Sequence, residues 1–243
     1  MAEVDDSIKT GPFAYATKAV KAAALRRILR ALWIEHGAPK LDGMVRRYPD
    51  VRPRNVTATN AEVAAILAAA PPPLRLWLLL CSDLAMRSGT AARIAPEHYN
   101  PRRGELRFVT KHNARLTLPV TAQVRHLLAC CNLEDSRTFV HQLWTQQPTH
   151  RGQPVQVASE HTLRTQYRAL LKKLAITRRI TPHDLRRTTA VAMLNATHDV
   201  RDVQALLGHR NLHSTLWYLD HDAVPVNRAT LELIKNPTQE KIA

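Results

Sequence analysis

Cysteine is scarce in this chain. There are three in 243 residues, Cys81, Cys130 and Cys131. Two are adjacent and no Cys-x-x-Cys occurs, so a disulfide framework and a zinc ribbon are both excluded. Such sparse thiols fit a reducing cytoplasm, and Cys81, inside an apolar run, reads as core. Long hydrophobic runs are missing too. The longest, residues 63–70 and 76–81, are far too short to span a bilayer, and prolines with Arg75 separate them. The N-terminus, Met1-Ala2-Glu3-Val4-Asp5-Asp6, has no apolar signal core, which argues against secretion. Internal repeats and low-complexity tracts are absent. His209 and His213 have the i, i+4 spacing of a metal pair, but no carboxylate or cysteine completes a site, so neither metal nor cofactor is expected.

Basic charge is abundant. Thirty-five Lys and Arg oppose 20 Asp and Glu, giving a formal charge of +15 and a pI near 10.5. Twenty-six of the cations are arginine, whose planar fork suits bidentate contact with phosphate. The cations are spread along the whole chain. That pattern points to a folded surface that wraps a nucleic acid duplex, not to a basic tail. An apolar fraction of 45% supplies a real core, and the length suits one full domain plus a smaller piece.

Periodicity gives a mainly helical chain with one small antiparallel sheet, an α+β class. Residues 1–17 lack periodicity and read as an arm. Residues 18–36 read as a helix with Val20, Ala24, Leu25, Ile28 and Leu32 on its apolar face, stopped by Gly37 and Pro39. A polar stretch with Pro49 and Pro53, ending at Asn55, is the candidate linker. The expected division is therefore 1–56, an arm with a short helical remnant and linker, and 57–243, the main domain. A helix opens at Thr59-Asn60-Ala61-Glu62, which has capping-box spacing, and residues 74–86 form a buried central helix. Residues 105–110 and 115–120 form a hairpin around Lys111-His112-Asn113-Ala114. Residues 122–131 are helical and 132–158 irregular. Residues 161–174 form an amphipathic helix, with Leu163, Tyr167, Leu170, Leu171 and Leu174 inward. Thr181 caps the next helix, with Pro182 and Asp184 in its first turn. Asp199 opens a short helix closed by Gly208, and further helices cover 212–219 and 226–235.

Chemistry concentrates near the C-terminus. His183-Asp184-Leu185-Arg186 places an imidazole and a guanidinium on one helix face, a pair suited to a phosphodiester. Alone the motif says little. Four His-x-x-Arg pairs occur, against about one by chance, and a solvated basic face explains any single pair. Context makes this one different. Leu207-Gly208-His209 follows, where Gly208 as the residue after a helix turns His209 sharply off its end. Tyr218 lies nine residues beyond His209.

His183-Asp184-Leu185-Arg186-Arg187-Thr188, Leu206-Leu207-Gly208-His209 and Tyr218, in that order, resemble the C-terminal signature of the tyrosine recombinases, or phage-integrase family. Upstream, Leu84-Ala85-Met86-Arg87 resembles the family's first-arginine motif, and the segment from Thr110 to Pro119 resembles its hairpin lysine segment. The resemblance covers about residues 57–235. It implies a tyrosine-recombinase-like catalytic domain that exchanges DNA strands by transesterification. Tyr218 would be the nucleophile and Arg87 and Arg186 the charge stabilisers. Lys111 would be the acid for the leaving oxygen, His183 a base or hydrogen-bond partner, and His209 a support for the phosphate. Arg115, Arg187 and Arg210 are the expected further DNA contacts. The implied partners are double-stranded DNA and other copies of the chain, as dimer to tetramer, with no membrane. The family's C-terminal helix passes between protomers, a role that here would fall to the segment after Tyr218, hinged at Pro225 and docking through Ala229, Leu231, Leu233 and Ile234; packing of this helix within its own chain is the alternative. Two departures stand out: Thr90 replaces the usual acidic residue three positions after the first arginine, and Ala85 replaces the usual glycine. The short N-terminal part makes the chain read as truncated. The alternatives are a non-catalytic DNA-binding protein of the same fold and a type IB topoisomerase-like enzyme.

Overall fold

The computed structural model describes residue 8 and residues 15–48, 56–110, 115–146 and 159–219. The expected arm apart from residues 8 and 15–17, the linker prolines, Lys111 and the segment from 220 onward lie outside these residues. The chain divides into two compact units, Met1–Arg54 and Asn55–Ala243.

In the first unit, helix α1 (Tyr15–His36) packs on a short turn, Asp42–Met44. Its buried residues are Ala22 and Leu29, which meet Val45. The apolar face read from the sequence is largely outside: Val20 is 69% and Ile28 58% exposed. Ala22 and Leu29 are seven residues apart, so a single turn covers a narrow seam and not a full stripe.

The second unit is built around helix α3 (Pro72–Ser82), whose residues from Leu76 to Ser82 are all buried. A helix apolar on every side must be enclosed, and five helices of the unit pack around α3. These are α2 (Asn60–Ala69), α5 (Ala122–Ala129), α6 (Phe139–Thr145), α7 (Glu160–Lys173) and α8 (Pro182–Thr197). Here α3 stops at Ser82, four residues earlier than the pattern suggested. Ala85 turns the chain with φ +47°, and the Met86 N–H closes onto the Leu80 carbonyl at 2.9 Å. A short helix α4 (Ser88–Ala91) follows.

Strands β1 (Tyr99–Asn100), β2 (Glu105–Val109) and β3 (Arg115–Pro119) form an antiparallel sheet in that order. The hairpin is as read, with Phe108 opposite Leu116 and Val109 opposite Arg115. The two-residue β1 was not foreseen. Nor was α6, which falls in the stretch read as irregular. With seven residues it is too short to show a period. Thr138 caps it, and Phe139, Val140 and Leu143 bury against the core.

The caps legible in the sequence are present. Thr59 with Glu62, and Thr181 with Asp184, make reciprocal capping boxes. Asp199 caps α9 (Val200–Leu207), which ends on Gly208 at φ +61°, and α10 (Leu212–Leu219) follows. Glu62 also pairs with Arg178, which tethers α2 to the segment entering α8. The C-terminus of α7 carries a complete Schellman pattern: Ile176 N–H to the Leu171 carbonyl at 3.0 Å and Ala175 N–H to that of Lys172 at 3.1 Å. Its left-handed residue is Ala175, exposed and at φ +53°. Ala175→Gly removes the Cβ penalty at the cost of some unfolded-state entropy, so thermal unfolding should show a gain of about 0.5 kcal/mol. A loss would contradict the assigned left-handed cap.

Candidate active site

Arg186 sits in the second turn of α8, pointing inward beside α3. It is 4% exposed. A buried guanidinium must be met by acceptors, and the backbone supplies them. Nη1 donates to the Ala85 carbonyl in the left-handed turn after α3. Nη2 donates to the Leu207 carbonyl at the end of α9, at 3.0 Å. Nη2 also stands 3.4 Å from His209 Nε2.

His209 takes this position because of the glycine before it. Gly208 adopts φ +61°, a conformation that favours glycine, and a Cβ there would crowd Thr110 Cγ2 at 3.2 Å where the turn lies against the hairpin. The imidazole is then held from both sides. An arginine N–H can only donate, so in the contact with Arg186 Nε2 accepts. Nδ1 then carries the proton and donates it to Thr215 Oγ1 at 3.1 Å. The His209 carbonyl accepts from Gln204 Nε2 at 2.9 Å. Thr215 is fully buried and belongs to α10, the helix that carries Tyr218. The tyrosine-bearing helix is therefore hydrogen-bonded to His209, and it packs on α8 and α9.

Arg87 occupies the N-cap position of α4 and is half-buried. It lines one small recess with Arg186, Thr90, Thr110 and Leu207. Thr110 directly follows β2, so the recess lies beside the base of the hairpin whose tip carries Lys111 in sequence. Lys111 itself falls outside the described residues, as does the side chain of Tyr218, although α10 is described. His183 stands on the surface turn of α8. Protein packed around its ring, and then the Arg186 guanidinium, hold its pKa below the ordinary value, with Arg187 and Arg87 adding to the effect against Asp184. At neutral pH it is neutral and able to take a proton.

The further arginines divide. Arg115 and Arg210 are exposed near the site, and Arg210 borders an open groove with His209, Gln204 and Arg201. Arg201 was not singled out from the sequence. Arg187, read as a DNA contact, is instead buried at 4% exposure and stands inside the protein. A helix face read at i, i+3, i+4 cannot distinguish two adjacent arginines when both turn toward the core. Thr215, Ala85 and Leu207 were also missed as functional positions. The last two act through backbone carbonyls, which no side-chain pattern reports. Tyr167, read as inward-facing from the helical pattern, is 2% exposed and packs edge-on against Trp77, and burial pushes its pKa up. Burial likewise raises the Cys81 thiol to about 12, as suits a core residue. Among the described residues no three His, Cys, Asp or Glu groups gather as a metal cluster, and no helix is long and apolar enough to cross a membrane.

The assembled groups are two guanidiniums and two imidazoles near one recess, an arrangement suited to an anionic, tetrahedral ligand. Comparison with known proteins agrees in kind. Residues 57–225 match the model of the phage integrase family. A tyrosine recombinase XerC from Listeria welshimeri is 49% identical over 49 residues, 20% of this chain, and one from Bacillus pumilus is 53% identical over 49 residues. Each match takes in 16% of the relative's own length. In fold, the chain is similar to a lambda integrase (75-356) dimer bound to a COC' core site, with a TM-score of 0.69 and 17% identity, over 92% of this chain and 79% of that one. It is also similar to XerH site-specific recombinase bound to difH substrate, with a TM-score of 0.63 and 18% identity, over 95% and 67%.

The His183 environment is directly measurable. An NMR titration of its ring should give a midpoint below the 6.5 of an ordinary histidine. A midpoint above 6.5 would mean that burial of the ring and the neighbouring Arg186 do not act on it as described.

Proposed function

The chain belongs to the phage integrase family, and from that premise we propose that it cuts and rejoins duplex DNA through a covalent 3′-phosphotyrosyl intermediate. The observation that supports this reading most is the meeting of Arg87 and Arg186 at one recess, with His209 set against Arg186 and hydrogen-bonded to the helix of Tyr218. In the proposed reaction the Tyr218 oxygen attacks the scissile phosphorus. A tyrosyl O–P bond forms, the P–O5′ bond breaks and a 5′-hydroxyl leaves. His183, neutral at pH 7, takes the phenolic proton or hydrogen-bonds the phosphate, and Lys111 gives a proton to the departing 5′-oxygen. Arg87 and Arg186 offset the charge that builds on the non-bridging oxygens. His209 braces Arg186 and orients the tyrosine helix through Thr215. A 5′-hydroxyl from another strand then attacks the phosphotyrosine, which restores the DNA backbone and frees Tyr218. The phosphate ester energy stays in the covalent link, so ATP is not needed.

Arg115, Arg201 and Arg210 extend the proposed contact along the DNA backbone. Copies of the chain assemble on DNA, and the protein works in the cytoplasm. Affinity for duplex DNA should fall steeply with salt, because Arg and Lys displace condensed counterions.

The test is covalent capture from a pool of nicked duplexes with randomised sequence, resolved on a denaturing gel. The unmodified chain should yield a protein–DNA band. Tyr218→Phe should lose the band and keep DNA binding, since the ring remains. Arg87→Ala should slow its formation on the order of 100- to 1,000-fold. Arg87 is the cleaner arginine to remove, because Arg186→Ala also strips the donors from two buried carbonyls. A persistent band with Tyr218→Phe would overturn the assignment. DNA binding with no covalent product from any duplex would favour a non-catalytic protein of this fold.

A further inference from the structure

Among the described residues no ion pair to Arg87 is present, and its position along the chain is set by the turn it opens. That turn is tightly held. The Arg87 carbonyl accepts from the N–H groups of Thr90 and Ala91, both at 2.9 Å. The next carbonyl, of Ser88, accepts from the indole Nε1 of buried Trp77 at 2.9 Å. The Ser88 hydroxyl is held twice more. It donates to Glu160 Oε1 at 2.8 Å and accepts from Arg164 Nη2 at 2.9 Å. Glu160 and Arg164 close the triangle with an ion pair at 2.7 Å, one turn apart on α7. Partial burial pushes the Glu160 carboxyl up, but the Ser88 hydroxyl and Arg164 outweigh it and hold its pKa below the ordinary carboxylate value. The approach is close enough to constrain the sequence: a Cβ on Gly89 would lie 2.8 Å from Glu160 Oε2.

We propose that Glu160 is a positioning residue for Arg87, its carboxylate fixing the Ser88–Gly89 turn from which that guanidinium reaches the phosphate. The inference rests on the proposed reading of Arg87 as a phosphate ligand. A partly exposed ion pair adds little to global stability, so the network's effect is local. It sets where the Arg87 α-carbon sits, and a displacement of about 1 Å at a charge-stabilising group costs up to roughly 100-fold in rate. Glycine at position 89 leaves the space that the carboxylate fills.

Two measurements on the full chain test this. The first uses a duplex captured by the unmodified protein. Glu160→Ala should slow single-turnover formation of the covalent band on the order of 10-fold or more, with duplex affinity little changed. Gly89→Ala should do the same by displacing the carboxylate, and the two losses should not multiply. In an Arg87→Ala background, Glu160→Ala should cost nothing further. A purely structural role gives no such dependence on Arg87. The second needs no DNA. Hydrogen exchange at the Thr90 and Ala91 amides should accelerate in Glu160→Ala, with the melting temperature little altered. Losses that multiply between Glu160→Ala and Arg87→Ala, or unchanged exchange at these amides, would overturn the proposal. Absence of a covalent band from the unmodified chain would instead count against the cleavage reading, and exchange would still decide whether Glu160 holds the turn.

Discussion

Arg186 is 4% exposed, and a guanidinium removed from water destabilises the fold unless acceptors surround it. The acceptors here are carbonyls of Ala85 and Leu207, which lie more than a hundred residues apart in sequence. Satisfying one side chain therefore brings together the turn after α3, the end of α9 and the first half of α8. The left-handed conformation of Ala85 belongs to the same requirement, because it turns the chain where that carbonyl is presented. Once these elements meet, the Gly208 turn sets His209 beside Arg186 and the Thr110 end of β2 beside Gly208. The candidate site is in this sense a consequence of burying one cation.

The two arginines of the recess are held by different means. Arg186 is fixed by bonds to its own head group. Arg87 is half-buried and is fixed through its neighbours, with Trp77, Glu160 and Arg164 all acting on Ser88. A head group held by backbone carbonyls suits a permanent part of the fold. The departure at position 90 fits this arrangement: Thr90 lines the recess without a charge, and the carboxylate at this turn comes from α7.

Much of this was legible in the sequence, for physical reasons. Caps at Thr59, Thr181 and Asp199 are short-range chemistry and were read correctly. The α3 run is apolar all round, so its burial followed. The spacing from His183 through Arg186 and Leu207-Gly208-His209 to Tyr218 singled out the residues that the fold gathers, as far as they are described. What escaped depends on contacts remote in sequence. Helix α6 is stabilised by burial of Phe139 and Val140 and not by period. The exposed face of α1 and the burial of Arg187 follow from which side each neighbour covers. Glu160 was invisible because its partner Ser88 is 72 residues away.

The central claim is that the fold gathers Arg87 and Arg186, the latter braced by His209, to grip a single phosphate. The most direct measurement is a crystal structure of the Tyr218→Phe chain bound to a duplex that the unmodified chain captures. The account predicts one backbone phosphate within hydrogen-bonding distance of Arg87 and Arg186, with His209 Nε2 still beside the Arg186 guanidinium and Arg186 still donating to the Ala85 and Leu207 carbonyls. A duplex whose phosphates bypass this recess, or a complex in which Arg186 has left those carbonyls, would contradict it.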